Sequence, residues 1–598
     1  MRILARQPDL ANGSYRAQAI NTQRSRAVAG RTMSLVMMFA LSLAACSSGG
    51  GGDGDSDGQE AGTDATLSAL SIDGVAIDQI FQPGQTSYTA AVGYLRSSVS
   101  LTATTGDPNA TLTLDGAAID SGTEQTRPLV EGSTSSEAGV TDIELVVTAE
   151  DGTTTNAYSL SVTRAAASSF ANRAFLKAST VDDEDEFGIS VALSGDTLLV
   201  GAPREDSAAT GGESDNTKAN SGAAYVFVRN GAAWEQQAFL KADDAFDQMS
   251  FGAAVALEGD TAVIGAPQEG NSGAVYVFTR TNTTWSQLAK LKASNAEAGD
   301  EFGTSVRLAV DTLVVGAPLE DSSLGGTNGN DTGATDDDSV SDSGAVYVFV
   351  RSGSQWSQDA YIKADNADVD DNFGMSVGLS GDVMVVGAPG EDSNSNISNE
   401  LGDNTGAAYV YTRTGSGWSN PQRLKASNLG NFDEFGAAVA VYGDTLVVCA
   451  WTEDGESNAV LDSGAAYVFV NNGATWGQTA ILRALNAGDS DQFGSSVAIS
   501  AGGIVIGAIW ETFTSTNGAA YVFTGSGSSW SQYRYLSSII KTAGVIGSNT
   551  ALLGDNYGVS VAIDGDTVVV GANGEDSSTA LDETDNGSVD SGAAYVWK

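Results

Sequence analysis

The hydrophobic pattern of the last two thirds of the chain is one set of four short segments, repeated seven times. Each copy contains a stretch like FGISVAL, then TLLVGAP, GAAYVF and WEQQAFLKA, in which apolar and polar residues mostly alternate. Such alternation predicts half-buried β-strands joined by turns. A Phe-Gly pair begins each copy at Phe187, Phe251, Phe302, Phe373, Phe435 and Phe493, and Tyr557 replaces the phenylalanine in the seventh. Seven four-stranded units of this size predict a seven-bladed β-propeller over residues 168–598.

The ends of the repeat region predict how the ring closes. The seventh copy stops at Lys598 without its fourth segment, whereas residues 170–178 precede the first copy and have no partner there. Aligned on residues 234–242, this first segment shares the sequence AFLKA and places Phe170 where Trp234 stands. We therefore expect residues 170–178 to supply the fourth strand of the seventh blade and to remove two free sheet edges.

Residues 66–165 show a different pattern of short alternating runs. These runs cover residues 67–72, 97–104, 110–114 and 143–149, with turn-forming residues between them. The spacing predicts a small β-sandwich. No combination of residues in it suggests chemistry, so we interpret it as a stalk or spacer.

The repeat motifs resemble a known family. Phe-Gly is followed by Gly-Ala-Pro at Gly201, Gly265, Gly316 and Gly387, whereas the later copies have Cys449-Ala450-Trp451, Gly507-Ala508-Ile509 and Gly571-Ala572-Asn573. This arrangement resembles the FG-GAP repeat of the integrin α-subunit propeller and of many bacterial surface proteins. Residues 66–165, with LSALSIDG and NAYSLSVTR, resemble the Ig-like or cadherin-like β-sandwich of bacterial surface proteins. Both resemblances specify a fold more closely than a function.

The N-terminus predicts export and lipid anchoring. Arg24, Arg26 and Arg31 precede an apolar run at residues 33–45, which is too short for a bilayer-spanning helix and is typical of a signal peptide. The sequence Leu43-Ala44-Ala45-Cys46 resembles the lipobox of bacterial lipoproteins, which implies cleavage after residue 45 and lipidation of Cys46. An ordinary signal peptide cut near Ala45 is the alternative. Residues 46–65 read as a flexible Gly/Ser/Asp tether, and Ser47 resembles the pattern sorted to the outer membrane.

Composition narrows the choice of partners. The chain has 75 acidic and 28 basic residues, with a formal net charge of −47. Such a charge disfavours nucleic acid and anionic membrane surfaces, so we expect the membrane to be contacted only through the lipid. Generic surface acidity and binding of a cationic partner both remain open. The sequence has no histidine, the commonest general base, and its two cysteines, Cys46 and Cys449, leave no internal disulfide if Cys46 is lipidated.

One face of the propeller is predicted to carry the long, acidic connections. These are the loops between strands two and three and between strand four and the next blade, and we call this side the loop face; the short connections form the turn face. Binding residues concentrate on long loops. A glutamate recurs there in every copy, at Glu205, Glu269, Glu320, Glu391, Glu453, Glu511 and Glu575, and five of these are followed by an aspartate, at Asp206, Asp321, Asp392, Asp454 and Asp576. These pairs are candidate ligand-binding residues.

A structural role for these glutamates is the competing interpretation. A base ends the fourth segment in six copies, at Lys177, Lys241, Lys292, Lys363, Lys425 and Arg483, and Ser537 replaces it in the other. Half-exposed Glu–Lys pairs within or between blades would orient the loops. A feature present in every blade favours this architectural role over catalysis, which needs one blade to differ.

Calcium and sugar are the two further ligands that the sequence suggests. Integrin propellers carry calcium loops of the form DxDxDG between their first two strands, but here that connection is only a short turn such as residues 258–261. Calcium would therefore have to use acidic loops such as Asp368, Asp370 and Asp371. Trp451 and Trp510 break the aromatic register of the repeat, so they are candidates for an exposed platform that stacks on sugar, with burial in the loops as the alternative.

Together these features predict a monomeric, lipid-anchored surface protein whose loop face binds an extracellular protein or a glycan. The alternatives are a surface polysaccharide hydrolase or lyase and a scaffold subunit of an outer-membrane assembly. We assign no catalytic residue, because the acids are spread evenly over the blades and histidine is absent.

Overall fold

The computed structural model describes residues 62–598 apart from 135, 168–169, 171–172, 210–211, 323–338, 394–403, 416, 429, 456–459, 502, 512–517, 539–553 and 580–586. It also describes the two-residue strand Ile20–Asn21, which pairs in parallel with Ser560 and Val561. Cys46, most of the leader and the tether up to residue 61 lie outside the described residues. Within the described part, no helix is long and apolar enough to cross a bilayer.

Residues 67–164 form a two-sheet β-sandwich. One sheet contains Leu67–Ile72, Ser98–Thr105 and Glu124–Pro128; the other has the order Ser87–Val92, Thr155–Arg164, Gly139–Thr148, Thr111–Leu114 and Ala117–Ile119. Alternate residues of both sheets, such as Leu101, Leu145 and Leu160, are fully buried and form a single core. The two-residue period of the sequence thus places one face of each sheet inside.

Seven four-stranded antiparallel sheets follow in the order of the repeats. Their strands are Ser190–Ser194, Thr197–Ala202, Ala223–Asn230 and Ala233–Leu240 in blade one; Ala254–Glu258, Thr261–Ala266, Ala274–Thr281 and Thr284–Leu291 in blade two; Ser305–Ala309, Thr312–Ala317, Ala345–Ser352 and Gln355–Ile362 in blade three; Ser376–Ser380, Val383–Ala388, Ala407–Thr414, and Gly417–Trp418 with Gln422–Leu424 in blade four. Blade five has Ala438–Tyr442, Thr445–Ala450, Ala465–Asn471 and Trp476–Leu482; blade six Phe493–Ser500, Gly503–Ala508, Ala519–Ser526 and Ser529–Leu536; blade seven Ser560–Asp564, Thr567–Ala572, Ala593–Trp597 and Arg173–Leu176. A short 3₁₀ turn, Glu269–Asn271, lies in blade two.

The blades form a closed ring. Strand one of each blade contacts strand one of the next, and the first blade contacts the seventh in the same way. The fourth strand of blade seven is Arg173–Leu176, which pairs antiparallel with Ala593–Trp597. Phe175 lies opposite Tyr595, as Phe239 lies opposite Tyr225 in blade one. The segment before the first repeat therefore completes the last blade.

The two glycines that mark each repeat meet across the seams between blades. A Cβ at Gly201 would lie 2.0 Å from the carbonyl oxygen of Gly252, and a Cβ at Gly571 would lie 2.0 Å from that of Gly188. Gly252 has a φ of 102°, a left-handed value that favours glycine. Ser190 donates a hydrogen bond of 2.7 Å to the carbonyl oxygen of Gly252. Both motifs are thus required by the close approach of two backbones.

Blade five departs from this arrangement at Cys449, which occupies the position of the second glycine. Cys449 is buried, and a Cβ at Gly494 of blade six would lie 3.0 Å from the Cys449 Cβ. Strand one of blade six begins earlier than in the other blades, and its register with strand two shifts between Phe493 and Ser496. The irregular strand thus accompanies the larger side chain at this seam.

The sandwich contacts the turn face of the propeller at blades six and seven. Asp566 accepts a hydrogen bond of 2.7 Å from the backbone N–H of Leu95. The Tyr94 ring packs against Tyr533 with 4.6 Å between centroids, and the Arg164 guanidinium lies 4.6 Å from the centre of the Tyr94 ring. The two domains therefore share a small apolar core in addition to polar contacts.

Candidate functional site

The seven recurrent glutamates of the loop face are buried, with 1 to 5% of each residue exposed. In six blades the carboxylate pairs with the base at the end of strand four of the same blade. The nitrogen to oxygen distances are 2.9 Å for Lys177–Glu575, 2.9 Å for Lys241–Glu205, 2.5 Å for Lys363–Glu320 and 2.5 Å for Arg483–Glu453; Lys292–Glu269 and Lys425–Glu391 form the other two pairs. The Glu–base pairing was predicted, but the prediction that the pairs are half-exposed was wrong for four of the six, in which the lysine side chain is at most 10% exposed.

Blade six keeps its buried glutamate without a base at the end of strand four. Ser537 stands where the other blades have lysine or arginine, and the Glu511 carboxylate accepts hydrogen bonds from the Tyr535 hydroxyl at 2.5 Å and from the Asn486 side-chain amide at 2.9 Å. Glu320 of blade three accepts the same two kinds of hydrogen bond in addition to its lysine partner. In the paired blades, burial lowers the pKa of the Lys177, Lys241, Lys363 and Lys425 ammonium groups against the opposing attraction of the adjacent glutamates. A buried glutamate is therefore kept in every blade, with or without an ionic partner.

The aspartates that follow five of these glutamates close the loops between strands two and three. In each case the carboxylate accepts the backbone N–H of a residue near the end of the loop. The distances are 2.6 Å for Asp206 with Asn220, 2.8 Å for Asp321 with Asp342, 2.7 Å for Asp392 with Asn404, 3.2 Å for Asp454 with Asp462 and 2.8 Å for Asp576 with Asp590. The candidate acid pairs thus have structural partners, and the glutamate of each pair is withdrawn from solvent.

The candidate calcium ligands are not brought together. The Asp371 carboxylate is buried and accepts the backbone N–H of Asp368 at 2.8 Å, whereas Asp368 and Asp370 are exposed. The same turn recurs where Asp185, Asp300, Asp433 and Asp491 accept the N–H three residues earlier. Among the residues that the structure describes, no group of three or more acidic, histidine or cysteine side chains could hold a metal ion.

Three of these buried aspartates have raised pKa values. Burial, opposed in part by the Asp368 N–H, raises the pKa of Asp371 to about 8, and burial together with the Glu205 charge raises that of Asp185 to about 8. Burial raises the pKa of Asp433 to about 6. Because the same environment recurs in several blades, the shifts are a property of the repeat and not of one reactive site.

Sequence reasoning missed Arg307, which is fully buried in strand one of blade three. The other six blades have alanine or glycine at this position. None of its three guanidinium nitrogens has a hydrogen-bond partner among the described residues, and burial lowers its pKa to about 9. The lone arginine in an otherwise apolar position was the signal available in the sequence.

The two unusual tryptophans differ in their surroundings. Trp510 is 52% exposed, whereas Trp451 is half-buried and its indole N–H donates to the Glu434 carboxylate at 2.5 Å. Two further apolar side chains of the loop face, Phe432 and Leu461, are each 57% exposed. The loops of blades five and six therefore present apolar surface that the sequence reasoning had only partly located.

A cavity of about 250 Å³ lies on the opposite side, where the sandwich meets the turn face. It is lined by both signs of charge, including Arg96, Arg229, Asp196 and Asp564. Arg229 pairs with Asp196 at 3.0 Å, and Asp564 accepts the backbone N–H of Gly195 at 2.7 Å. Arg96 donates to the backbone carbonyl of Asp73 at 2.6 Å. These charged groups hold the turns within each domain in place.

Comparison with known proteins agrees with this architecture. The FG-GAP repeat profile matches seven segments, at residues 170–227, 234–278, 285–349, 356–411, 418–469, 476–523 and 549–597. The chain belongs to the FG-GAP repeat family. Residues 66–165 match the cadherin-like beta sandwich domain.

Among curated proteins, integrin alpha-4 of Xenopus laevis is 25% identical over 234 residues, which is 36% of this chain. The match covers 18% of that integrin, so the similarity concerns only a small part of its length. Membership of this family and the integrin similarity favour a ligand-binding, adhesion-type propeller over an enzyme.

Proposed function

We propose that this FG-GAP protein is a lipid-anchored binding or adhesion protein of the bacterial surface, and that its loop face binds an extracellular protein or glycan. The observation that carries the proposal is the contrast between the repeated and the unrepeated residues of that face. The repeated acids are engaged with buried bases and loop backbones, whereas exposed apolar side chains occur where blades five and six depart from the repeat. Exposed apolar surface on long loops is typical of a binding site.

The anchor is part of the proposal and rests on the sequence alone. The apolar run at residues 33–45 and the lipobox-like Leu43-Ala44-Ala45-Cys46 support lipidation of Cys46 at the cell surface or outer membrane. The tether and the sandwich would then hold the propeller away from the bilayer. An enzymatic role has no comparable support, because the described carboxylates with strongly raised pKa values accept hydrogen bonds from their own turns.

Blocking one face at a time tests the proposal. Cys449 is buried and Cys46 would carry the lipid, so a cysteine introduced on the surface is the one accessible thiol of the described chain. Bacteria that display the full chain would carry Asp489→Cys on the loop face or Ser354→Cys on the turn face, both at exposed positions. Adhesion to surfaces coated with matrix proteins or with glycans is measured before and after treatment with a maleimide polymer.

We expect polymer on residue 489 to abolish adhesion and polymer on residue 354 to leave it unchanged. A Cys46→Ser chain should be released from the cells, and adhesion should be lost with it. Adhesion that survives the loop-face block, or that is lost only with the turn-face block, would overturn the proposal.

A further inference from the structure

Four apolar side chains stand on neighbouring loops of the loop face of blades five and six. We call Phe432, Trp451, Leu461 and Trp510 the blade-five patch. Hydrogen bonds join the loops that carry them: the Thr452 hydroxyl donates to the Phe432 carbonyl at 2.6 Å, the Ser490 N–H donates to the Leu461 carbonyl at 2.7 Å, and the Trp510 N–H donates to the Asp491 carbonyl at 3.4 Å. The four residues therefore lie on consecutive, mutually supported loops.

The other blades have different residues at the positions of Trp451 and Phe432. The position of Trp451 is proline in the first four blades, at Pro203, Pro267, Pro318 and Pro389. The position of Phe432 is Glu184, Gln248, Gly299, Asp370, Ser490 and Gly554 in the other copies. Residues needed to build a blade recur in every blade, so these four side chains are not explained by the architecture.

The backbone at Phe432 gives a second, independent indication. Its φ is 65°, in the left-handed region, where a bulky residue is rare and strained. The other copies have glycine or a polar residue at this strained position. Burial does not compensate for the strain, because Phe432 is 57% exposed. A phenylalanine kept exposed in an unfavourable conformation is typical of a residue used in recognition.

The charges around the patch define the partner. Glu434 binds the indole N–H of Trp451, Asp454 holds the loop that ends at Leu461, and Asp489 accepts the Leu461 N–H at 3.1 Å. The nearby base Arg483 is engaged by the buried Glu453 carboxylate. Apolar side chains bordered by acids suit a segment that combines cationic and apolar residues. The net charge of −47 on the whole chain also attracts a cationic partner.

We propose that the blade-five patch is the docking site for a cationic segment of an extracellular protein, anchored by an apolar side chain. This inference rests on the proposed function and deepens it. Sugars stack mainly on flat aromatic rings such as the two tryptophans. Leu461 and Phe432 add apolar surface that can contact protein side chains as well. The chemistry of the patch therefore favours a protein ligand over a glycan.

The test uses the full chain and three fluorescent peptides of equal length. One alternates lysine with leucine, one lysine with serine, and one glutamate with leucine. Binding is measured by fluorescence anisotropy at physiological salt. The patch variants are Phe432→Gly, which fits the left-handed backbone, and Trp510→Thr, which copies the residue of blade five. The matched controls are Val369→Ser and Val589→Ser, at exposed apolar positions of the same face in the linker before blade four and in blade seven.

We expect the Lys–Leu peptide to bind at least about tenfold more tightly than the other two, and each patch variant to weaken it by about tenfold, as for central apolar anchors. The controls should bind like the native chain, and Phe432→Gly should melt at the same or a higher temperature. Equal binding of the Lys–Leu and Lys–Ser peptides, or no binding of any peptide, would refute the patch as a docking site.

Adhesion separates this inference from the proposed function. If polymer on residue 489 abolishes adhesion while Phe432→Gly and Trp510→Thr adhere normally, the loop face binds but the patch does not. If the loop-face block itself has no effect, the proposed function fails first. Patch variants that lose adhesion to glycan coatings but not to protein coatings would contradict the assignment of a protein partner.

Discussion

At the scale of single residues, the buried aspartates before the Phe-Gly pair couple the stability of the fold to pH. Asp371 has a pKa of about 8 in the folded chain, against an ordinary value of 3.8. Its folded pKa is raised, so the folded chain holds this proton between about pH 4 and pH 8, whereas the unfolded chain releases it. The stabilising contribution is complete below pH 4 and is lost as the pH rises through 8.

We expect Asp371→Asn to remove this dependence. At pH 4 the variant should be about as stable as the native chain. Between pH 4 and pH 8 the native chain should lose stability relative to the variant by at most about 1.4 kcal/mol per pH unit, so that the variant is the more stable chain above pH 8. The amide oxygen can still accept the Asp368 N–H. Blade two shows that a neutral group is tolerated, because Met249 occupies the equivalent position. Chemical denaturation from pH 4 to pH 9 measures the difference, and parallel profiles for the two chains would contradict the assignment.

The sequence predicted some of these residue contacts and not others. The Glu–Lys pairing followed from the recurrence of both residues at the same ends of two strands, so Glu205 and Lys241 could be matched from the repeat alone. The burial of Glu205 could not be predicted from the repeat, because it depends on loops whose lengths vary from blade to blade. Likewise, the Asp371 carboxylate accepts a backbone N–H of its own turn. An aspartate recurs at this position two residues before Phe-Gly, but the recurrence alone does not identify the backbone N–H that it binds.

At the scale of elements, the strands were predictable wherever alternation and turns coincide, which holds for all seven repeats. Local irregularities of single strands could not be predicted in this way. Strand four of blade four is split into Gly417–Trp418 and Gln422–Leu424, because Pro421 has no N–H to donate to the ladder. In several blades the pairing of strands three and four shifts by one residue, as between Val226 and Phe227. This bulge recurs at the same place in those blades and has no distinct residue signal.

Closure by Arg173–Leu176 can be tested with an engineered disulfide. Ala174 lies opposite Val596 in blade seven, and Ala238 lies opposite Val226 at the same register of blade one. Cysteines at 174 and 596 would close a loop of almost the entire propeller, whereas cysteines at 238 and 226 would close one hairpin. In the chain-entropy model the long loop should stabilise the fold by about 3 kcal/mol more.

The measurement is the midpoint of thermal unfolding with and without reductant for both double variants. We expect a clearly larger increase on oxidation for the pair at 174 and 596. A bond that forms in blade one but not between 174 and 596 would show that the first strand does not complete the last blade.

At the scale of the whole molecule, the sandwich is joined to the propeller by a contact that the sequence did not predict. Gly93 allows it, because a Cβ at this residue would lie 1.2 Å from the Asp566 carboxylate oxygen Oδ2. Burial in the same contact raises the pKa of Asp566. The sequence showed two domains with a short connection and led to the interpretation of a spacer. Docking depends on one glycine, one turn and two tyrosines that are far apart in the chain.

Replacing Gly93 by leucine should separate the domains without unfolding either. The new side chain cannot fit beside Asp566, so the Leu95 hydrogen bond and the Tyr94–Tyr533 contact should be lost together. Gly84→Leu is the matched control, because a Cβ there meets no atom within 4 Å. We expect Gly93→Leu to increase the radius of gyration in solution scattering and to resolve two thermal transitions where the native chain and Gly84→Leu show one. Unchanged scattering for Gly93→Leu would mean that the docked arrangement does not depend on this contact. Adhesion assays of the same variant would show whether a docked sandwich is needed to present the loop face.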